Sequence, residues 1–400
     1  MNDNSTLGDV LLDIQAGKSF QTAEVLARPE EFGVLKVSAI TWSEFQADEA
    51  KALTGQYEPA ESHKVRKGDF LISRANTKEF VGAVVLVDRN YPFRLLSDKT
   101  LRLVIAEERA SKDFLLYALR APKARKHIEH FATGTSDSMR NIAQGVITSI
   151  PINLPSIGEQ RQIAARLKAQ LGEVEVARKA AQLQLSDTRL LRARMLKAFF
   201  SELDDAPKKK LGDYAQTTSG STPSRGNKQY WQPAEIAWVK TGEVAFAPIS
   251  ATQEAISKTA LEECSLTLLP PKSVLIAMYG QGKTRGQSAI LEIPATTNQA
   301  CFAILPNDTW EPDFLYLWLK SSYQDLRDLS EDRGGNQANL NGALLKALEV
   351  PAPSKTEQQH IVARIQAAMT EIDALENSSK ATLEDINRLP NRMLAQAFEV

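Results

Sequence analysis

The chain has 400 residues, of which 43% are hydrophobic and 24% charged, an ordinary balance for a folded globular protein of two or more domains. No apolar run approaches the roughly 18 residues of a membrane span, and the acidic, polar start MNDNSTLGDVLLDI excludes a secretory signal, so the cytoplasm is the expected location. The net charge of −1 excludes a bulk electrostatic drive toward nucleic acid and leaves local basic patches as the only route to it.

Residues 1–150 read as mixed α/β. LGDVLLDI and GVLKVSAI predict short strands, KGDFLISRAN a turn, a strand and a polar loop, and VGAVVLVD a buried strand. RLLSDKTLRLVIA predicts a strand pair. Residues 111–131 have helical periodicity, which Pro122 should break or kink. GTSDSMRN is expected as a polar loop and GVITSIPINLP as an extended exit. Residues 155–200 predict one long helix. DDAPKKK (204–210) reads as a short linker, and residues 207–350 then repeat the first plan: LGDYAQ matches LGDVLL, EIAWVKTGEV matches GVLKVSAI, and PKSVLIAMYGQGKTRGQSAIL matches KGDFLISRANTKEFVGAVVLV. A second long helix is predicted from 353 to 398. Cys264 and Cys301 have no metal spacing and fit a reducing compartment.

The two long helices align without a gap at an offset of 198 residues, Pro155 matching Pro353. Both begin PSxxEQ, continue I-x-A-R, and end RML followed by Phe. A match of that length makes the chain a tandem duplication. Ser156 with Glu159, and Ser354 with Glu357, fit capping boxes. Apolar or small residues at Ile163, Leu167, Leu171, Val174, Ala181, Leu185, Met195 and Phe199 form a narrow seam. So do Ile361, Ile365, Met369, Ile372, Leu383, Ile386 and Met393. About 45 residues of helix extend roughly 65–70 Å. The seam fits an antiparallel pair within one chain, since the duplication supplies both members; a coiled-coil rod between two chains is the alternative. Pro390 stands where the first helix has Arg192 and should kink the second helix.

At this point the sequence resembles the specificity subunit (S subunit, HsdS family) of type I restriction–modification systems. The marks are Pro155-Ser156 with Glu159-Gln160 and Ile163, and Pro353-Ser354 with Glu357-Gln358 and Ile361, each followed by Arg166 or Arg364. Weaker marks are Leu7-Gly8-Asp9 and Leu211-Gly212-Asp213, and Asp113-Phe114-Leu115 and Asp313-Phe314-Leu315. The resemblance covers nearly the whole chain. It implies an α+β fold in which two globular α/β target-recognition domains (1–154 and 207–352) alternate with two long antiparallel helical regions (155–206 and 353–400), related by a pseudo-two-fold. It also implies that each recognition domain reads one half of a bipartite, asymmetric double-stranded DNA target. The helices would set the unread spacer and dock two methyltransferase subunits. S-adenosylmethionine, ATP and magnesium are then expected on the methyltransferase and restriction subunits, with no catalytic residue, metal or cofactor in this chain.

The residues agree with a non-catalytic role. GQGKTRG (280–286) matches the end of a phosphate-binding loop, but Ala277 stands where the first glycine belongs. His127 and His130 flank Glu129 with no further ligand nearby in sequence, as a surface pair does. No Asn-Pro-Pro-aromatic methyltransferase motif occurs.

Polar, cationic loops at matching places in the two copies are the candidate DNA contacts. In the first copy they are Lys36 and Ser38, then Arg74, Asn76, Thr77 and Lys78, then Ser136, Ser138, Arg140 and Asn141. In the second they are Arg225, Lys240 and Thr241, then Tyr279, Gln281, Lys283, Thr284 and Arg285, then Arg333, Asn336, Gln337 and Asn339. Arg and Lys reach guanine acceptors, Asn and Gln pair with adenine edges, and hydroxyls hold phosphates. A scaffold protein that uses the helices for protein partners and no longer reads DNA is the competing reading.

Overall fold

The computed structural model describes residues 5–42, 44–55, 57–280, 282–331 and 339–398. It divides into two compact units, residues 1–182 with 381–400 and residues 183–380. Two long helices, Ile157–Ser201 and Lys355–Phe398, each contribute one part to each unit.

In the first unit an antiparallel sheet has the order Leu11–Ala16, Thr100–Ile105, Phe70–Ser73, Val84–Leu86. A second sheet orders Thr22–Leu26, Ala50–Leu53, Gly33–Leu35, Tyr91–Leu95 and Lys64–Val65, with Gly33–Leu35 parallel to Tyr91–Leu95. Leu7–Val10 is a 3-10 turn and not the opening of a strand. Asp9 explains this, because its carboxylate accepts from the Thr6 amide at 2.8 Å and closes a capping box. Residues 111–131 split into Lys112–Ala118 and Pro122–Phe131. Pro122 sits in the first turn of the second piece, where its missing N–H leaves no helical bond unmade. The stretch expected as a polar loop is a hairpin, Thr133–Ser136 with Met139–Asn141, and the expected extended exit contains the short helix Gln144–Thr148.

The second unit repeats the plan. Its antiparallel sheet orders Thr217–Ser219, Cys301–Ile304, Val274–Ala277 and Ser288–Ile290. Ile236–Val239 lies antiparallel to Glu254–Ile256 and parallel to Thr296–Thr297, as Gly33–Leu35 does between its own neighbours. The last residues of the expected linker form a strand, Lys208–Lys210, paired with Glu349–Pro351. Three lysines suit a strand exposed to water, where charge guards an edge.

Each unit fastens the start of one long helix and the end of the other. In the first, the buried amide of Gln160 accepts from the Ser111 N–H at 2.9 Å. It donates to the carbonyls of Arg109 at 3.1 Å and Pro155 at 2.9 Å. In the second, Gln358 accepts from the Glu311 N–H at 2.8 Å and donates to the carbonyls of Thr309 and Pro353, both at 2.8 Å. Ser111 and Glu311 cap the helices Lys112–Ala118 and Pro312–Ser321, so one side chain ties two helix starts together. The opposite helix ends stack on those same short helices. Phe398 meets Phe114 edge-on at 5.4 Å in the first unit, and Phe200 meets Phe314 at 5.5 Å in the second. Within each unit, therefore, the two long helices run antiparallel.

The capping box at Ser156 and Glu159 is complete, and its hydrogen bonds hold the Glu159 carboxyl below the usual carboxylate range. At the second helix only the half from the Glu357 N–H to the Ser354 hydroxyl forms, at 3.3 Å. Leu167, Val174 and Ala181 are buried as expected. Near the end of the first helix, however, the buried line runs through Thr188, Leu196 and Phe200 where Met195 and Phe199 were expected, and Ser379 is buried on the second helix. The second helix continues through Pro390 to Phe398. In the second unit Arg192 pairs with Asp373 and Glu376. In the first unit Pro390 replaces that arginine. The residues matching Asp373 and Glu376 are Glu175 and Arg178, and they pair with each other at 2.7 Å. The charge that proline removes is thus supplied by Arg178, and a cleft lined by Trp42, Arg125, Glu175, Arg178 and Pro390 remains.

Replacing Gln160 or Gln358 with Met keeps side-chain length and removes three hydrogen bonds to partly buried backbone groups. Each change should lower stability by about 2–3 kcal/mol, read as a lower urea midpoint at unchanged slope.

Candidate nucleic-acid interface

In the first unit the three candidate segments converge. Ala75–Asn76 pairs with the Met139–Asn141 strand, Arg140 lying opposite Asn76 and Asn141 opposite Ala75. The Lys78 N–H donates to the Asp137 carbonyl at 2.9 Å, joining the 74–78 loop to the hairpin tip. Gly134 is required in that hairpin: its φ is +151°, and a Cβ there would lie 2.4 Å from the Met139 carbonyl oxygen. Asn76 is buried. It donates to the Val37 carbonyl at 3.1 Å and to the Ser73 hydroxyl at 3.2 Å, and accepts from the Thr77 N–H at 2.9 Å. It therefore holds the Lys36–Ser38 segment against the 74–78 loop and is a positioning residue, not an open contact.

The side chains left exposed on this surface are Arg74, Thr77, Lys78, Ser136, Ser138 and Asn141. Ser136 and Ser138 share a 2.7 Å hydrogen bond, and Arg140 is half-buried against Asp137 at 2.7 Å. Lys36 and Ser38 both converge on Glu49, the ammonium at 2.6 Å and the hydroxyl at 2.5 Å. His127 hydrogen-bonds the Ser149 hydroxyl at 3.1 Å, and both His127 and His130 pack on Phe131.

In the second unit the loop at 278–287 joins strands Val274–Ala277 and Ser288–Ile290 as a hairpin turn. No helix opens from it, so its Gly-Lys-Thr is not a phosphate-binding loop. It is fixed from the helix Tyr323–Glu331. The Tyr323 hydroxyl donates to the Lys283 carbonyl at 2.6 Å, and the Arg327 guanidinium donates to the Gly282 carbonyl at 2.6 Å. Gly280, at φ +134°, passes so close to Thr284 that a Cβ would sit 2.8 Å from it. Within the loop Lys283 and Tyr279 are exposed, Thr284 is half-buried, and Arg285 is buried at 7% exposure. Burial removes Arg285 from the open contacts and leaves Lys283 as the loop's exposed cation. Asn339 is exposed and adjoins this loop, since Leu340 N–H donates to the Met278 carbonyl at 3.1 Å. Gln281, Arg333, Asn336 and Gln337 lie outside the described residues.

Lys240 and Arg225 meet on Glu254 at 3.0 Å and 2.5 Å. The Arg225 guanidinium lies 3.8 Å from the Trp231 ring centre and 5.2 Å from that of Trp238, a stacked and preorganised arrangement. The Thr241 hydroxyl donates to the Asn298 side-chain oxygen at 2.9 Å and contacts buried Cys301, whose strand pairs with Ala277 at the foot of the 278–287 loop. Burial pushes the Cys301 thiol up to about 12. Among the described residues no group of His, Cys, Asp or Glu could hold a metal ion.

Sequence reasoning misses Glu49, Glu254, the Trp231–Arg225–Trp238 stack and the Tyr323–Arg327 brace. One signal was available for the glutamates: each follows its lysine, Lys36 or Lys240, by 13 or 14 residues across the same strand pair.

A family model described as the type I restriction modification DNA specificity domain matches residues 2–183 and again residues 204–385. The chain belongs to this family. Its relatives include the type I restriction enzyme MjaIX specificity subunit of Methanocaldococcus jannaschii, 31% identical over 195 residues, 48% of this chain and 43% of the relative. The EcoR124I/EcoR124II specificity subunit of Escherichia coli is 26% identical over 171 residues, 42% of this chain and 41% of the relative. With these two the match spans less than half of the relative's own length. The EcoDI specificity subunit of Escherichia coli aligns at 24% identity over 82% of this chain and 80% of its own. Among solved structures, a chain from a structure of the type I R-M system superposes with a TM-score of 0.71 at 18% identity, covering 98% of this chain and 96% of that one. The HsdS subunit from Thermoanaerobacter tengcongensis superposes with a TM-score of 0.60 at 19% identity, covering 98% and 95%. These likenesses establish the fold that the family resemblance implied: a mixed α+β chain with two copies of a globular unit and two long antiparallel helices.

Lys283→Ala should weaken binding of the assembled complex to its target DNA several-fold. It should also reduce the slope of log affinity against log salt by about 0.9, the share of one phosphate contact. A salt titration of fluorescence anisotropy measures both.

Proposed function

We propose that this chain is the DNA sequence-specificity subunit of a type I restriction–modification complex, each unit reading one half of a bipartite, asymmetric target. The observation that carries the reading is the pairing of a repeated framework with divergent loops. Sheet order, glutamine clamp and phenylalanine stack recur in both units. The exposed polar side chains on the matching loops differ: Arg74, Thr77 and Lys78 on one, Tyr279 and Lys283 on the other. A constant frame with variable loops is the arrangement expected of two readers with different half-sites.

The long helices set the unread spacer and dock two methyltransferase subunits. Supporting this, the first helix exposes Leu183, Leu190 and Leu191, each close to or above half exposed and at helical spacing. Restriction subunits complete the assembly. The chemistry, with its S-adenosylmethionine, ATP and magnesium, belongs to those partners, and this chain is non-catalytic and cytoplasmic. Among the described residues no helix is long and apolar enough to cross a membrane.

Exchanging residues 207–352 for the matching part of a relative with a different target tests the reading. The assembled complex should keep one half of its recognised sequence and change the other. A change in both halves, or in neither, would contradict it.

A further inference from the structure

Lys36 and Lys240 occupy one topological position in the two units. Each caps a 3-10 turn just beyond the strand that runs parallel to Tyr91–Leu95 or to Thr296–Thr297. Each is held by a glutamate at the start of the neighbouring antiparallel strand, Glu49 at 2.6 Å or Glu254 at 3.0 Å. The second donor on the carboxylate differs, Ser38 in one unit and the tryptophan-stacked Arg225 in the other. What the duplication retains is therefore a carboxylate on the lysine, although the surrounding loops have diverged. Both carboxyls are held below the usual range by these donors, Glu49 chiefly by Lys36 and Ser38, and Glu254 chiefly by Arg225 and Lys240.

The pairs adjoin the candidate DNA surface. Asn76 bonds the Val37 carbonyl inside the first turn, and Thr241 of the second turn bonds Asn298. They are also partly open to water, the lysine side chains being 34% and 33% exposed. An ion pair this open is weak, so a DNA phosphate can exchange with the carboxylate. After the exchange the glutamate stays beside a polyanion and repels it.

We propose that Glu49 and Glu254 are specificity-determining residues that mask the DNA-facing cations Lys36, Lys240 and Arg225. On a duplex lacking the target these cations meet phosphate alone, and the carboxylate repels it there; on a matching half-site they turn to base edges, away from the backbone, and the repulsion is smaller. This is discrimination through a repulsive element, and it rests on the DNA-reading function proposed above.

The test uses the assembled complex with Glu49→Gln, Glu254→Gln and both together. Affinity is measured by anisotropy across a salt series, for a duplex carrying the target and for one lacking it. Glutamine removes the charge: at position 49 its one amide oxygen still accepts from both Lys36 and Ser38, and at position 254, where Lys240 and Arg225 use different oxygens, it keeps one of the two bonds. Thermal melts check folding, and the separate single variants keep one unit readable if the other is disturbed. The double variant should bind the duplex lacking the target about three- to tenfold more tightly, with a salt slope steeper by up to about 0.9 for each glutamate. Target affinity should rise less, so that the ratio between the two duplexes falls. Unchanged or weaker binding of the non-target duplex would overturn the proposal. So would a loss of target affinity alone, because that outcome makes the glutamate a base reader, accepting from a cytosine amino group. If the unaltered complex bound neither duplex in a salt-dependent way, the DNA-reading function itself would fall, and the masking role with it.

Discussion

A single buried carboxamide in each unit is the interaction on which the rest of the structure depends. Gln160 and Gln358 each connect three backbone groups, most of them partly buried: the N–H at the cap of a short helix, the carbonyl of the loop before it, and the carbonyl of the proline just before a long helix. Only an amide supplies both a donor pair and an acceptor on one planar group. A carboxylate has no donor, and an apolar side chain would strand all three. The clamp fastens the start of each long helix to the globular residues that precede it. The phenylalanine stacks then fasten the other long helix to the same short helix.

This frame allows the loops to vary. Core residues of the repeated sheets, such as Phe70, Ile72, Leu101 and Leu103 in one unit and Val274, Ile276, Phe302 and Ile304 in the other, are buried and alternate as strands require. The loops beyond those strands are braced internally, by Asn76 and the hairpin in the first unit and by Tyr323 and Arg327 in the second. Their outward side chains are then free to differ. Acidic residues stand beside several of the loop cations: Glu49 at Lys36, Glu254 at Lys240 and Arg225, and Asp137 at Arg140.

Much of this is legible in the sequence, for identifiable reasons. The duplication shows because the helix starts, PSxxEQ, are constrained by the clamp and the cap together, so they resist divergence. Pro122 announces a helix break because its ring forbids helical continuation on one side. Features set by tertiary pairing are not legible. The stretch TSDSMRN is polar on both faces and carries no alternation, so its strands appear only when Asn76 and Ala75 supply a partner. Lys208–Lys210 has no strand signal of its own, and pairing with Glu349–Pro351 creates it. The basic loop near Arg285 suggests two free cations, but folding buries Arg285 and leaves Lys283 exposed. Glu49 and Glu254 look like ordinary surface acids until the strands bring them against Lys36 and Lys240. At Pro390 the sequence shows an irregularity, and its physical sense lies in Arg178, which takes over the charge that Arg192 carries in the other unit.

The central claim is that one chain holds two readers of the same design and different specificity. Mapping methylated adenines across a genome modified by the complex containing this chain tests it most directly. The account expects a two-part motif, its halves unlike one another and separated by an unread run of constant length. A continuous motif, a motif with identical inverted halves, or methylation without sequence preference would contradict it.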